Sequence, residues 1–123
     1  MALQILIADD APHISRALSF ILQREGFSVD VANNGEETLI TIREERPKLV
    51  FLDIVMPKMN GLDLCREIKG DPELRDTHVI ILTAKGGELD RQECMSAGAD
   101  EYMTKPFSPR EVMERVLALF PMR

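Results

Sequence analysis

Short apolar runs alternate with stretches of helical period along the chain, five times over, which is the pattern of an α/β domain with a parallel sheet covered by helices on both faces. The runs are Leu3 to Ala8, Phe27 to Ala32, Leu49 to Leu52, Val79 to Leu82 and a weaker Glu101 to Met103. Leu49-Val50-Phe51-Leu52 and Val79-Ile80-Ile81-Leu82 are apolar at every position. Strands buried on both faces must read this way, so these two are predicted to be central. Ile14, Ala17, Leu18, Ile21 and Leu22 recur at helical spacing and predict a first helix that leaves Arg16, Gln23 and Arg24 to water. A second helix is expected over Gly35 to Glu45 with Leu39 and Ile42 inward, and a third over Gly61 to Lys69 with Leu64, Cys65 and Ile68 inward. Gly70-Asp71-Pro72 should stop the third helix, through a left-handed Gly70 and a proline that cannot continue the turn. The fourth pattern, Glu88 to Ala97, has the fewest apolar positions, so weak docking and greater mobility are expected of it. Ser108-Pro109-Arg110-Glu111 opens the last helix with a capping hydroxyl, a proline whose missing N–H costs nothing, and a glutamate that reaches back. Its inner face is Val112, Val116 and Leu119.

Composition narrows the setting. A length of 123 residues suits one domain with one core, and neither a repeat nor a linker divides it. Residues 1–123 are therefore expected to be one domain with no room for an output domain, although a domain cut from a longer protein would read the same way. Hydrophobic residues at 45% and charged residues at 29% are the balance of a soluble globular chain. No apolar run approaches the roughly 20 residues that span a bilayer, and the start Met1-Ala2-Leu3-Gln4 lacks the basic flank of a secretory signal. A cytoplasmic location and no membrane partner are expected. A net charge of -6 would repel a phosphate backbone, so direct nucleic-acid binding is disfavoured. Cys65 and Cys94 lack the Cys/His spacing of a zinc site, and His13 and His78 stand alone in sequence; reduced thiols and ordinary imidazoles are expected.

In doubly wound sheets, ligands bind at the edge where the carboxyl ends of the strands gather. The first strand delivers Asp9-Asp10 there, the third Asp53, the fourth Thr83, and the fifth is followed by Lys105-Pro106. Three carboxylates and one ammonium give a formal -2, and like charges this close need compensation. A hard divalent cation supplies it. Few protein ligands and open positions suit Mg²⁺, with Mn²⁺ as a substitute, better than Ca²⁺, which wants a fuller oxygen cage. Taken singly, each Asp could be a strand terminus or a cap, Asp10 for a helix beginning near Pro12. Their conjunction at four of five strand ends argues for a site.

These residues identify a resemblance that spans essentially the whole chain. Asp9-Asp10, the run Asp53-Ile54-Val55-Met56-Pro57-Lys58-Met59-Asn60-Gly61, Thr83-Ala84, and Ala97-Gly98-Ala99-Asp100-Glu101-Tyr102 leading to Lys105-Pro106-Phe107 resemble, in order, the CheY-like receiver domains of two-component response regulators. The resemblance implies a flavodoxin-like, three-layer fold of five strands in order 2-1-3-4-5 with five helices. It further implies that Asp53 is phosphorylated by a sensor histidine kinase or phosphotransfer protein. Asp10 and Asp53 would hold the metal directly, Asp9 largely through water, and the Val55 carbonyl would complete the ligands. Thr83 and Lys105 would bind phosphoryl oxygens, and the Lys105-Pro106 peptide would be cis. Pro57 and Gly61 fit the tight loop into the third helix, and side chains at Val55 and Lys85 would tune loss of the phosphoryl group. Thr83 would then move toward the phosphoryl group and Tyr102 turn inward, helped by Ala84 and the loose Lys85-Gly86-Gly87 loop. This remodels the face made by the fourth helix, fifth strand and fifth helix for an effector, or for a phosphorylation-dependent dimer of an otherwise monomeric chain.

An Asp-nucleophile phosphatase of the haloacid-dehalogenase kind would want a second Asp two residues after the nucleophile, where this chain has Val55. A flavodoxin-like carrier would need a hydroxyl- and glycine-rich first loop in place of Asp9-Asp10-Ala11-Pro12. A pseudo-receiver would be expected to lack a site residue, and none is missing. The chain is thus read as a signalling domain whose only chemistry is its own phosphorylation and dephosphorylation, either free-standing or the receiver of a larger transcription factor or hybrid kinase.

Overall fold

A computed structural model describes residues 3–54, 60–83, 88–105 and 107–120. The elements run β1 (Ile5–Ala8), α1 (Pro12–Arg24), β2 (Val29–Ala32), α2 (Gly35–Glu45), β3 (Leu49–Asp53), α3 (Gly61–Gly70), β4 (His78–Thr83), α4 (Glu88–Ser96), β5 (Glu101–Thr104) and α5 (Pro109–Leu119). All strand pairs are parallel and the order is β2-β1-β3-β4-β5. The expected architecture is thus present, with β1 and β3 adjacent where the winding reverses.

Strand alternation divides the core into two layers. Leu6, Ala8, Val50, Leu52, Val79 and Ile81 face one side with Ile42 of α2, Leu64, Cys65 and Ile68 of α3, and Cys94 of α4. Ile5, Ile7, Leu49, Phe51, Ile80 and Leu82 face the other with Leu18 and Leu22 of α1 and Val112 and Val116 of α5. Successive side chains point to opposite faces, so a strand apolar at every position supplies both layers at once. Complete burial of each such Leu or Ile is worth about 1.5–3 kcal/mol before the entropy of ordering it.

Several helix details depart from the periodic reading. Ala17 is exposed, whereas Ser15 is buried. The Ser15 hydroxyl donates to the carbonyls of Ala11 and Pro12 at 3.4 and 3.3 Å, which lets a polar side chain occupy the inner face. Gly70 is not a left-handed cap: it ends α3 as a helical residue, and the chain leaves through Asp71 in extended conformation. The left-handed position belongs instead to Arg46 after α2, at φ 47°. Ser108 caps α5 as expected, accepting from the Glu111 amide at 3.0 Å.

Candidate functional site

Register places the chemistry. Ala8 lies opposite Leu52, so the next residues, Asp9 and Asp53, emerge side by side at the carboxyl edge where the sheet's winding reverses. Asp53 pairs with Leu82, which sets Thr83 one step beyond it, and Thr83 pairs with Thr104, the residue before Lys105. A backbone bond from Lys105 N–H to the Thr83 carbonyl, 2.7 Å, fixes that turn. All five side chains singled out in the sequence therefore reach one edge. Asp9, Asp53 and Thr83 are buried there, while Asp10 is exposed at the rim.

Lys105 Nζ stands between two carboxylates, 3.3 Å from Asp9 Oδ2 and 3.4 Å from Asp53 Oδ1. These gaps are longer than the 2.7–2.9 Å of a tight ammonium–carboxylate bond. The ammonium neutralises both groups without closing on either. Asp9 Oδ1 accepts the Ala11 amide at 2.8 Å, whereas Asp9 Oδ2 is buried without an aligned donor. Asp10 caps nothing: the N-cap of α1 is Ala11, with no side-chain bond. One carboxylate oxygen from each of Asp9, Asp10 and Asp53 comes within 4.8 Å of the others. A buried carboxylate oxygen lacking a donor is costly, and a divalent cation coordinated by oxygens removes that cost. The residues fit Mg²⁺.

The backbone closes the floor of the site. Asn60 caps α3 by accepting from Leu62 N–H at 2.7 Å, and Gly61 N–H donates to the Ile54 carbonyl at 2.7 Å. A Cβ on Gly61 would lie 2.2 Å from the Asp53 carbonyl oxygen, so only glycine lets α3 start this close to β3. Tyr102 is partly buried and packs against the layer that holds α4. The Val55 carbonyl, Pro57, Ala84, Lys85, Gly86, Gly87 and the Lys105-Pro106 peptide lie outside the described residues.

Sequence reasoning missed a second charged cluster, at the amino edge of β4 and β5. His78 Nε2 lies 2.7 Å from Glu101 Oε2, Arg115 pairs with Glu101, and Lys69 Nζ lies 2.7 Å from Asp100 Oδ2. Opposite charges at the starts of neighbouring strands were a usable signal once β4 and β5 were taken as partners.

The family model for the response regulator receiver domain matches residues 5–117. The transcriptional regulatory protein ResD of Bacillus subtilis is 44% identical over 116 residues, covering 94% of this chain and 47% of that protein. The chain spans about half the length of the curated relatives it matches. Among solved structures, a putative response regulator from Chloroflexus aurantiacus superposes with a TM-score of 0.91 at 30% identity, covering 98% of this chain and 99% of that one. The receiver domain of a Pseudomonas aeruginosa sensor histidine kinase, with magnesium coordinated in its active-site cleft, gives a TM-score of 0.86 at 25% identity over 96% and 97% of the two chains. A matching family model over nearly the whole chain, a 2-1-3-4-5 parallel sheet and an acidic pocket at its switch point agree: the chain belongs to the response regulator receiver domains of two-component signalling.

Proposed function

We propose that Asp53 is the phosphoacceptor of this receiver and that Lys105, Thr83 and an Asp-bound Mg²⁺ serve it. The observation that carries this reading is the position of Lys105 between Asp9 and Asp53, 3.3 and 3.4 Å from their carboxylates, beside the cluster of three Asp oxygens. An Asp53 oxygen attacks the phosphorus of a phosphohistidine on a sensor kinase or phosphotransfer protein. The P–O bond forms and the P–N bond breaks, and its electron pair returns to the donor's ring, which leaves as neutral imidazole because its other nitrogen already carries a proton. Asp9, Asp10 and Asp53, whose carboxylate oxygens already gather within 4.8 Å of one another, would hold the metal, and the Val55 carbonyl, implied as a ligand by the family resemblance, would complete the protein ligands. The ion supplies charge neutralisation for the phosphoryl oxygens. Lys105 pairs with one of those oxygens and Thr83 hydrogen-bonds another.

Thr83 ends the strand beside Asp53, and Tyr102 sits two residues before its register partner Thr104 on β5. A Thr83 drawn toward the phosphoryl group vacates space into which Tyr102 turns, and the α4-β5-α5 face changes for an effector. A similar chain forms about half of a transcriptional regulatory protein, which supports a second output: the receiver half of a transcription factor, with DNA contacted by another domain.

Incubation with acetyl phosphate and Mg²⁺ should add one acid-labile phosphoryl group, detected by intact-mass spectrometry and absent in Asp53→Asn. Persistence of the label in that variant would overturn the assignment.

A further inference from the structure

The cluster at the amino edge of the sheet performs no task in phosphoryl chemistry, yet it ties four elements together. His78 opens β4, Glu101 opens β5, Asp100 precedes it, Lys69 lies in the last turn of α3 and Arg115 lies on α5. The His78 ring stands between two carboxylates, with Nε2 2.7 Å from Glu101 and Nδ1 3.9 Å from Asp100. Each carboxylate has a permanent cation of its own: Arg115 for Glu101 and Lys69 for Asp100. Asp100 also accepts the Val79 amide at 2.9 Å, and Lys69 donates to the Arg75 and Thr77 carbonyls at 3.0 and 2.7 Å. Two cations balance two anions, so the imidazole is the member whose charge can change.

We propose that His78 is a proton-operated clasp that sets how firmly β5 and α5 are held to β4, and so makes the α4-β5-α5 surface responsive to pH. With the ring protonated, both nitrogens donate, and Glu101 and Asp100 are drawn to the start of β4 together. With the ring neutral, Nε2–H still reaches Glu101, but the Nδ1 lone pair faces the Asp100 carboxylate. Asp100 then rests on Lys69, and Glu101 on Arg115. Imidazole is the side chain whose ordinary titration falls between about pH 5 and 8.

The cleft beside Glu101 carries the change outward. It is lined by Arg91 and Met95 of α4, Tyr102 of β5, and Glu111 and Arg115 of α5. Among the described residues, Arg91 and Glu111 are further charges that line this cleft with Glu101, while Arg75 and Asp76 lie in the segment leading into His78. Burial alone would raise the Glu101 carboxyl, but the hydrogen bonds from Arg115 and His78 outweigh it and keep the group below the usual carboxylate range. Glu101 is therefore held in its ionised form. The clasp lies at the edge of the sheet opposite Asp53, since His78 pairs with Leu49 at the start of β3 and Asp53 ends that strand.

The test is an NMR titration of the isotope-labelled, unphosphorylated protein from about pH 5 to 8. His13, exposed on α1, is the internal control. The Arg115 side-chain signal and the Tyr102 amide should shift with the midpoint of the His78 ring and not with that of His13. In His78→Gln both responses should vanish; in Glu101→Gln the His78 ring should still titrate while Arg115 no longer follows it. Arg115 and Tyr102 signals that ignore the His78 midpoint in the wild-type protein would overturn the proposal, with no variant required. So would a pH response that survives in His78→Gln.

Discussion

Gly61 shows how little space the site leaves. Its absent side chain is replaced by the Asp53 carbonyl, and a methyl group there would meet backbone at 2.2 Å, where no flexible side chain can yield. Gly61→Ala should cost about 3 kcal/mol in chemical denaturation, as an overpacking defect, and should slow labelling of Asp53 because α3 must retreat from β3. Lys105 acts by charge. Lys105→Ala leaves the carboxylates that bind metal, so Mg²⁺ titration should still register binding. Phosphorylation, however, should no longer shift the Tyr102 amide; a normal shift in that variant would contradict the proposed coupling. Lys105 was legible in the sequence from its place just after the fifth strand, and Gly61 through the resemblance of the Asp53–Gly61 run to the receiver family. Ser15 was not. Its burial depends on carbonyls one turn back in its own helix, and a polar letter in an apolar stripe does not disclose that bond.

Helices and strands here are held by few local devices, and each can be tested separately. Ser108→Ala removes the side-chain cap of α5 and should lower stability by about 1 kcal/mol, measured by urea unfolding. The join between β4, β5 and α5 depends on Glu101. A carboxyl whose folded-state pKa is depressed contributes stability that is present above its unfolded value, about 4.3, and is lost as pH falls through the lower folded value. Melting temperatures measured from neutral pH into that acid window should fall more steeply for the wild-type protein than for Glu101→Gln. The strands themselves were plain in the sequence, since β3 and β4 are apolar throughout. The cross-links between them were hidden, because His78 and Glu101 meet only once the crossover through α4 has set the β4–β5 register, and Arg115 reaches them from α5. The exit of α3 was misread for a related reason: Gly70 permits a left-handed cap, but the turn that follows did not require one.

For the molecule as a whole, the two core layers and the acidic edge oppose each other. Apolar layers on both faces draw the strands together, and that same closure brings Asp9, Asp10 and Asp53 to within 4.8 Å. Mg²⁺ should therefore stabilise the entire fold. A concentration a hundred times the dissociation constant should add about 2.7 kcal/mol, visible as a rise in melting temperature that Asp10→Asn diminishes. Cys65 offers an independent gauge of opening. It lies on the inner face of α3, and burial pushes its thiol up to about 11, so alkylation near neutral pH should be slow in the folded protein and fast in urea. The sheet order has a kinetic consequence as well. No two strands are joined by a hairpin, and the carboxyl edge collects residues as far apart as Asp9 and Lys105. The nascent chain therefore exposes its acidic residues long before it makes the lysine that balances them. Folding must wait for distant segments to meet, which slows it relative to helical bundles of similar size. A chain released before β5 would hold Asp9 and Asp53 without their counter-charge, so assembly of the signalling site also marks the completion of synthesis through residue 105.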